Sequence, residues 1–175
     1  MKFVQQGIGI LALLAASGAL LAQPAATGNL KTSVNPGRAG VFVDGKYVGP
    51  AGNFGISRTY AVPPGSHEVK LVDPRFEDHT ATVDVKAGKT TKLEHTMKPL
   101  PPPTGPFGAL RTPVPEKYAA VYINDKYYGH AGEFNNPTQK LLLPVGEYDV
   151  RVEPSSGAPI KQHVKLEEGK TVLVK

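Results

Sequence analysis

The sequence predicts an all-β protein built from two small tandem β-sandwich-like domains of short antiparallel strands. Three observations support this fold class. First, 19 glycines and 17 prolines among 175 residues leave little room for long helices. Second, short stretches alternate apolar and polar residues with the period of a half-buried strand. Third, the chain repeats itself at an offset of 80 residues. With 40% hydrophobic and 20% charged residues, the composition is that of a globular protein.

Residues 1–22 have the features of a signal peptide. A positively charged start precedes an uncharged apolar run at 7–21, and a small residue, Ala22, follows it. The run is shorter than the ~20 residues that usually span a bilayer. Cleavage after Ala22 is therefore favoured over cleavage after Ala19 and over retention as an anchor. We expect a signal helix, a short flexible lead at 23–29, and an extracytoplasmic protein, periplasmic or secreted, whose only membrane contact is an uncleaved signal segment.

The internal repeat defines the domain organisation. Residues 41–49 match 121–129 at an offset of 80, and after one inserted residue 88–90 match 169–171 at an offset of 81. The proline-rich stretch between the copies favours an extended, semi-rigid path. The predicted first β-domain, Pro-rich linker and second β-domain are residues 30–97, 98–109 and 110–175.

Turn residues and alternation place the strands. Asp44-Gly45 lies between two apolar stretches, and this pair is typical of a type I′ hairpin turn; Asn124-Asp125 occupies the same place in the second copy. A second hairpin is predicted around Gly88, which gives about six short strands per copy. The second copy ends before any counterpart of Met97, so we expect its last strand to be two residues short.

Both copies resemble the PEGA domain. In the first copy the resemblance rests on the stretch Val41–Gly49, the turn Pro63-Pro64-Gly65 and the later stretch Val83–Thr90. The loops after Gly49 and Gly129 depart from the usual family pattern. The resemblance implies a small β-domain of exported and surface-associated proteins that serves as a binding or structural module. It implies no catalytic residues for this sequence.

Motifs for chemistry are absent from the sequence. There is no cysteine, no Gly-x-Ser-x-Gly elbow and no Gly-rich phosphate loop. No two of the five histidines have the close spacing of a zinc site; they are His67, His79, His95, His130 and His163. His130 is expected to be exposed to solvent. We therefore expect no catalytic residue, no metal and no cofactor, and a hydrolase is the weakest of the functional hypotheses.

Charge and surface aromatics suggest the kind of partner. The net charge of +5 is spread along the chain without a basic block, so nucleic acid is not an expected partner. The residues just after the two hairpin turns are the candidate ligand contacts, because exposed rings can stack on sugars or pack against proteins. These candidates are Lys46, Tyr47, Lys126, Tyr127 and Tyr128. The alternative is that Tyr47 and Tyr127 merely cover the sheet.

Two functional hypotheses follow from the sequence. The first is an exported, non-catalytic binding or scaffold module that contacts another protein in the cell envelope. The second is a binder of carbohydrate or envelope polymer that uses the tyrosines and lysines of the hairpins. In both cases the second copy, with its extra tyrosine, is the expected binder.

Overall fold

A computed structural model describes residues 26–175, so the predicted signal segment at 1–22 and residues 23–25 of the predicted lead lie outside the described residues. The strands of the first copy are β1 (Gly28–Asn35), β2 (Gly40–Val43), β3 (Lys46–Pro50), β4 (Tyr60–Val62), β5 (Gly65–Val72), β6 (His79–Val85) and β7 (Thr90–Thr96). Those of the second are β8 (Phe107–Arg111), β9 (Ala120–Ile123), β10 (Lys126–His130), β11 (Leu141–Pro144), β12 (Gly146–Glu153), β13 (Ile160–Leu166) and β14 (Thr171–Leu173). Short 3-10 helices follow β3 and β10, at Ala51–Phe54 and Ala131–Glu133.

Each copy consists of one three-stranded and one four-stranded sheet. The strand orders are β4-β1-β7 and β3-β2-β5-β6 in the first copy, and β11-β8-β14 and β10-β9-β12-β13 in the second. Every strand of the second copy thus has its counterpart in the first, and no sheet of the described chain mixes strands of the two copies. The predicted all-β fold with two tandem β-domains is confirmed.

The predicted second hairpin is wrong. At Gly88 the chain does not fold back beside β6 but crosses to the other sheet, where β7 pairs in parallel with β1 from Asn29↔Thr90 to Asn35↔Thr96. In the second copy β14 is likewise parallel to β8. Alternation reveals which face of a strand is buried but not which strand lies beside it. Each copy has seven strands rather than six, and one pair in each is parallel.

Two strands begin earlier than predicted. β1 starts at Gly28 and β8 at Phe107, so the ends of the predicted lead and of the predicted linker belong to strands. The beginning of the linker is also attached, because the Leu100 N–H donates to the Arg75 carbonyl at 2.8 Å. At the other end the Pro106 carbonyl accepts the Val145 N–H at 3.0 Å, so the stretch between these two attachments is residues 101–105.

Both predicted hairpin turns form as expected. Asp44 and Gly45 have φ of 49° and 78°, and Asn124 and Asp125 have φ of 48° and 62°, which is the left-handed pair that a type I′ turn requires. The first side chain of each turn also fastens the turn to the next strand. Asp44 Oδ1 accepts the Glu68 N–H at 3.0 Å, and Asn124 Oδ1 accepts the Asp149 N–H at 2.9 Å.

Each copy has its own hydrophobic core between its two sheets. Fully buried positions in the first copy include Leu30, Val41 and Leu71, and in the second Leu110 and Val174. The cores come from the alternating strand residues, which face inward while their charged neighbours face solvent.

A third cluster joins the two copies. Its aromatic members, which we call the aromatic cluster, are Phe42, Tyr47, Tyr122 and Tyr127, and Val72 and Ala120 pack with them. The Tyr127 ring lies 5.1 Å from the Tyr47 ring and meets Phe42 edge to face at 5.4 Å. It also lies directly against Gly40, where a Cβ atom would come within 2.5 Å of the ring. The copies are therefore packed against each other rather than merely tethered.

Removal of Val172–Lys175 is expected to unfold the second copy. Val174 is completely buried, and its N–H donates to the Arg111 carbonyl at 2.9 Å. Burying one such side chain contributes about 1.5–3 kcal/mol, a large fraction of the stability of so small a domain. Calorimetry should show loss of one transition, while removal of Lys175 alone should change little. Unaltered melting of the truncated protein would show that β14 is not needed.

Gly40→Ala is expected to displace the Tyr127 ring and loosen the contact between the copies. Overpacking of this kind costs about 1–3 kcal/mol. Small-angle scattering should show a larger maximum dimension than in the unaltered protein, with the strand content by circular dichroism unchanged. Gly37→Ala is the matched control, because no atom lies closer than 3.7 Å to the new Cβ atom. Equal dimensions for both variants would refute the importance of this contact.

Candidate functional site: the linker groove

The five predicted contact residues do not form one site. Lys46 and Lys126 are exposed at the hairpin ends, Tyr47 is half-buried, and Tyr127 retains 3% of its surface exposed. The expectation of an exposed Tyr127 ring is wrong, because the copies pack together at this position. Tyr128 alone of the three tyrosines faces a groove on the outside of the second copy.

Tyr47 and Tyr127 are structural residues. The Tyr127 hydroxyl donates to the Tyr47 hydroxyl at 3.3 Å, and burial raises the pKa of both phenols well above the usual value. Both therefore stay neutral at any physiological pH. Their rings contribute to the packing between the copies, and the Tyr127 ring is buried there.

A small cleft between the copies lies next to the aromatic cluster. It has a volume of about 310 Å³ and is lined by Phe42, Tyr122, Lys126 and the ion pair of Lys70 with Asp78, whose atoms are 2.9 Å apart. The Arg151 guanidinium covers the Tyr122 ring at 4.0 Å from its centre. The carboxylate of Asp78 and the Tyr122 ring in this cleft thus already have partners within the protein.

A larger groove, which we call the linker groove, opens beside β11. Its volume is about 580 Å³. It is lined by Lys140 and β11, by Tyr128, Phe134 and Tyr148 of the second copy, by Pro74 and Arg75 of the first copy, and by Leu100, Pro101 and Pro103 of the linker. Leu142 and Leu100 are 57% and 38% exposed in it. Among these described residues none is acidic, and most are apolar or aromatic.

The edge of β11 is open at Leu142. Within the described residues β11 pairs with β8 alone, and Leu142 lies opposite Ala109. The Ala109 N–H donates away from β11, to the Lys170 carbonyl at 2.8 Å. Since paired residues of antiparallel strands bond either to each other or to their outer sides, the N–H and C=O of Leu142 point outward. The next outward carbonyl, of Pro144, already accepts the Tyr148 hydroxyl at 2.8 Å.

The first copy lacks an equivalent groove of this character. Its corresponding opening between β3 and β4 has a volume of about 390 Å³, and Glu116, Tyr118 and Ser155 of the second copy line its side. At equivalent positions the first copy has smaller or more polar residues. Val48, Ala61 and His67 stand where the second copy has Tyr128, Leu142 and Tyr148. The repeats have thus diverged at the lining of the groove.

Sequence reasoning missed Leu142 and Tyr148 as candidate site residues. The signal was present in the alignment of the two copies, where Leu141-Leu142-Leu143 replaces Tyr60-Ala61-Val62 and places an apolar side chain on the outer face of a strand. An exposed apolar residue marks a contact surface only when it belongs to a contiguous apolar patch, as Leu142 does in the linker groove.

The histidines of the described residues do not gather into a metal site. Among them no group of three or more histidines and carboxylates lies close enough to hold a metal ion. His130 is buried, contrary to the expected exposure, and its Nδ1–H donates to the Lys117 carbonyl at 3.0 Å. Burial lowers the pKa of His130, so its imidazole is held neutral as part of the fold.

His67 is expected to make the stability of the first copy depend on pH. Its Nδ1 lies 2.7 Å from the Asp44 carboxylate and its Nε2 2.8 Å from the Pro63 carbonyl, so both nitrogens donate only in the imidazolium form. The Asp44 hydrogen bond, and then the Pro63 carbonyl, raise the pKa of His67. The stabilisation is therefore complete below the ordinary pKa of about 6.5 and disappears as the pH rises through the raised value.

Titration of the His67 ring by NMR tests this dependence. Asp44→Asn is the matched variant, since Asn124 keeps the same turn in the second copy. The pKa of His67 should fall in that variant and lie above about 6.5 in the unaltered protein. A value that does not respond to Asp44→Asn would contradict the assignment.

Two comparisons of the whole chain with known proteins give little similarity. In residues 26–175 no helix has the length and apolar character needed to cross a membrane. A search of curated proteins gave no match to the chain. Among solved structures, the Bacillus anthracis TIE protein is similar at 15% identity and a TM-score of 0.33, over 86% of this chain and 34% of that chain. The present chain thus spans about a third of the length of that structure.

The family comparison concerns the first copy. The family model of the PEGA domain matches residues 27–101, which include all seven strands from β1 to β7. PEGA domains are in general non-enzymatic and occur in extracellular or periplasmic proteins. Membership of the second copy in the same family stays a prediction, supported by its identical strand order. Residues 27–101 of this chain are a PEGA domain.

Proposed function

We propose that this protein is an exported, non-catalytic module that contacts another protein of the cell envelope through the linker groove. The groove supports this function because it gathers apolar side chains at the surface beside an open strand edge. The contiguous apolar lining, with Leu142 and Leu100 exposed in it, is the observation that carries the proposal, since apolar surface of this kind gains free energy when a partner covers it.

The arrangement of the two copies fits a scaffold role for the first copy. The aromatic cluster holds the copies together, and Arg75 of the first copy reaches Glu133 of the second, with Nη2 and Oε2 at 3.4 Å. Arg75 is itself fixed by the buried Asp73, at 2.8 Å. The first copy thereby forms one side of the groove that the second copy presents.

Binding of an envelope polysaccharide is the second candidate function. It is supported by the cleft between the copies, where Lys126 is exposed, whereas Asp78 is paired with Lys70 and Arg151 covers the Tyr122 ring. An exposed ammonium group can donate hydrogen bonds to the hydroxyls of a sugar. This candidate uses Lys126 among the residues that the sequence suggested, whereas the first uses Tyr128.

Site-specific photo-crosslinking in the envelope of host cells tests the first function. A photoreactive residue in place of Leu142 should give a discrete crosslinked protein that is recovered in comparable amount from repeated preparations. The same residue in place of Ala61 is the matched control, because it occupies the equivalent edge of the first copy. It should give no such product.

Retention on purified wall glycan separates the two candidates. A protein that contacts its partner through the linker groove should not be retained, whereas a glycan binder should be retained and should lose retention in the variant Lys126→Ala. Tyr127→Ala is unsuitable for this purpose because it removes the packing between the copies. Retention that depends on Lys126, together with no crosslink at Leu142, would overturn the proposed protein contact.

A further inference from the structure

We propose that the linker groove takes an extended peptide segment of its partner, containing apolar residues and at least one acidic residue, which adds to the edge of β11 at Leu142. This inference rests on the proposed protein contact and names the chemistry of the partner. Three features of the groove lead to it: the free peptide group of Leu142, the apolar lining, and the uncompensated charge of Lys140.

The backbone at Leu142 provides the recognition point for a strand. Its N–H and C=O face away from β8, as the bond from Ala109 to Lys170 shows. A segment in extended conformation satisfies both groups at once, with two hydrogen bonds to a single residue. Helices have no free backbone groups to offer in this geometry, so an extended segment is the form that fits.

The side-chain lining selects apolar residues. Tyr128, Phe134 and Tyr148 belong to the second copy, and Leu100 and two prolines of the linker lie on the other side. In a strand, alternate side chains point to opposite faces, so every second residue of an added segment enters the groove. The Tyr148 hydroxyl is engaged by Pro144, at 2.8 Å, which leaves its ring as the available surface.

The charge of the groove selects an acidic residue. Two cations line it, Arg75 and Lys140, and the described lining contains no carboxylate. The charge of Arg75 is balanced by Asp73 and Glu133. Lys140 instead has the Thr171 hydroxyl as its hydrogen-bond partner, at 3.2 Å, and takes part in no ion pair within residues 26–175. A carboxylate in the partner segment thus gains a charge-assisted contact at Lys140.

A peptide suits the groove better than a sugar. Polar side chains in the lining are restricted to the two cations and the tyrosine hydroxyls, whereas sugar recognition requires several hydrogen-bonding groups around a ring. The free hydrogen-bonding groups of the groove are instead the backbone N–H and C=O of Leu142. For this reason the cleft between the copies, and not the linker groove, is the place for a glycan.

Titration with a synthetic peptide tests the proposal. The probe is the acetylated and amidated heptapeptide Glu-Thr-Val-Thr-Val-Thr-Glu, whose valines and glutamates share one face of an extended strand. It is added to the intact isotope-labelled protein and followed by NMR. The amides of Lys140 and Leu142 should shift saturably, and the equivalent amide of Ala61 should not. A peptide with lysine in place of both glutamates should bind about fivefold more weakly.

Removal of the outward hydrogen bond gives the decisive comparison. Leu142→Pro deletes an N–H that does not pair with β8, and should weaken binding by about tenfold, whereas Leu142→Val should bind normally. Because the proline variant has a risk of misfolding, the unaltered protein is also titrated with the probe methylated on its alternate backbone nitrogens. That peptide should bind about tenfold more weakly as well.

The possible outcomes separate the two levels of the proposal. No saturable shift at Leu142, or equal binding of the methylated and unmethylated probes, overturns strand addition. If a crosslink from Leu142 persists in cells in that case, the protein contact stands and the partner binds without adding a strand. If neither the crosslink nor the shift is observed, both the proposed function and this inference are wrong.

Discussion

The arrangement of the two copies depends on the packing of the Tyr127 ring against Gly40. Position 40 of the first copy corresponds to Ala120 of the second. Only the glycine allows a ring to lie directly on the strand, so the interface is unequal although it is made from equivalent segments. Tyr127 is buried in consequence, while its counterpart Tyr47 stays half-buried. This close approach, together with the ion pair of Arg75 with Glu133, places the first copy beside the groove of the second.

Divergence between the copies is concentrated at their edges and turns. The strand orders and the buried alternating positions are the same in both. Asn124 and Tyr148 of the second copy replace the pair Asp44 and His67 of the first. Asn124 still accepts the N–H of the next strand, at Asp149, and Tyr148 still bonds to the carbonyl of the turn proline, Pro144. Neither side chain carries a charge. The change removes a titratable ion pair from the second copy and adds an aromatic ring to its groove.

Much of the fold could be predicted because it depends on local signals. Positive φ at Asp44 and Asn124 follows from turn chemistry, and the buried faces follow from alternation of residue types. The parallel pairing of β7 with β1 could not be predicted in this way. These two strands are about sixty residues apart in the chain, and the chain must cross from one sheet to the other before they can pair. The periodicity of a strand shows which face is buried but not which strand lies beside it.

The candidate site was less accessible from the sequence for the same reason. Tyr127 and Tyr128 are adjacent and chemically identical, yet one is buried between the copies and the other lines the groove. Adjacent residues of a strand face opposite sides, so which tyrosine stays available is decided by the position of the first copy. Leu142, by contrast, could have been found by comparing the two repeats, since it stands where the first copy has the smaller Ala61.

The proline that ends β11 has a further consequence. Pro144 has no N–H, and its carbonyl is occupied by Tyr148, so the open edge ends at Leu142 on this side. Long exposed edges allow molecules of a protein to join indefinitely into continuous sheets. A proline at the end of the edge leaves room for a single short segment and works against edge-to-edge pairing of further molecules.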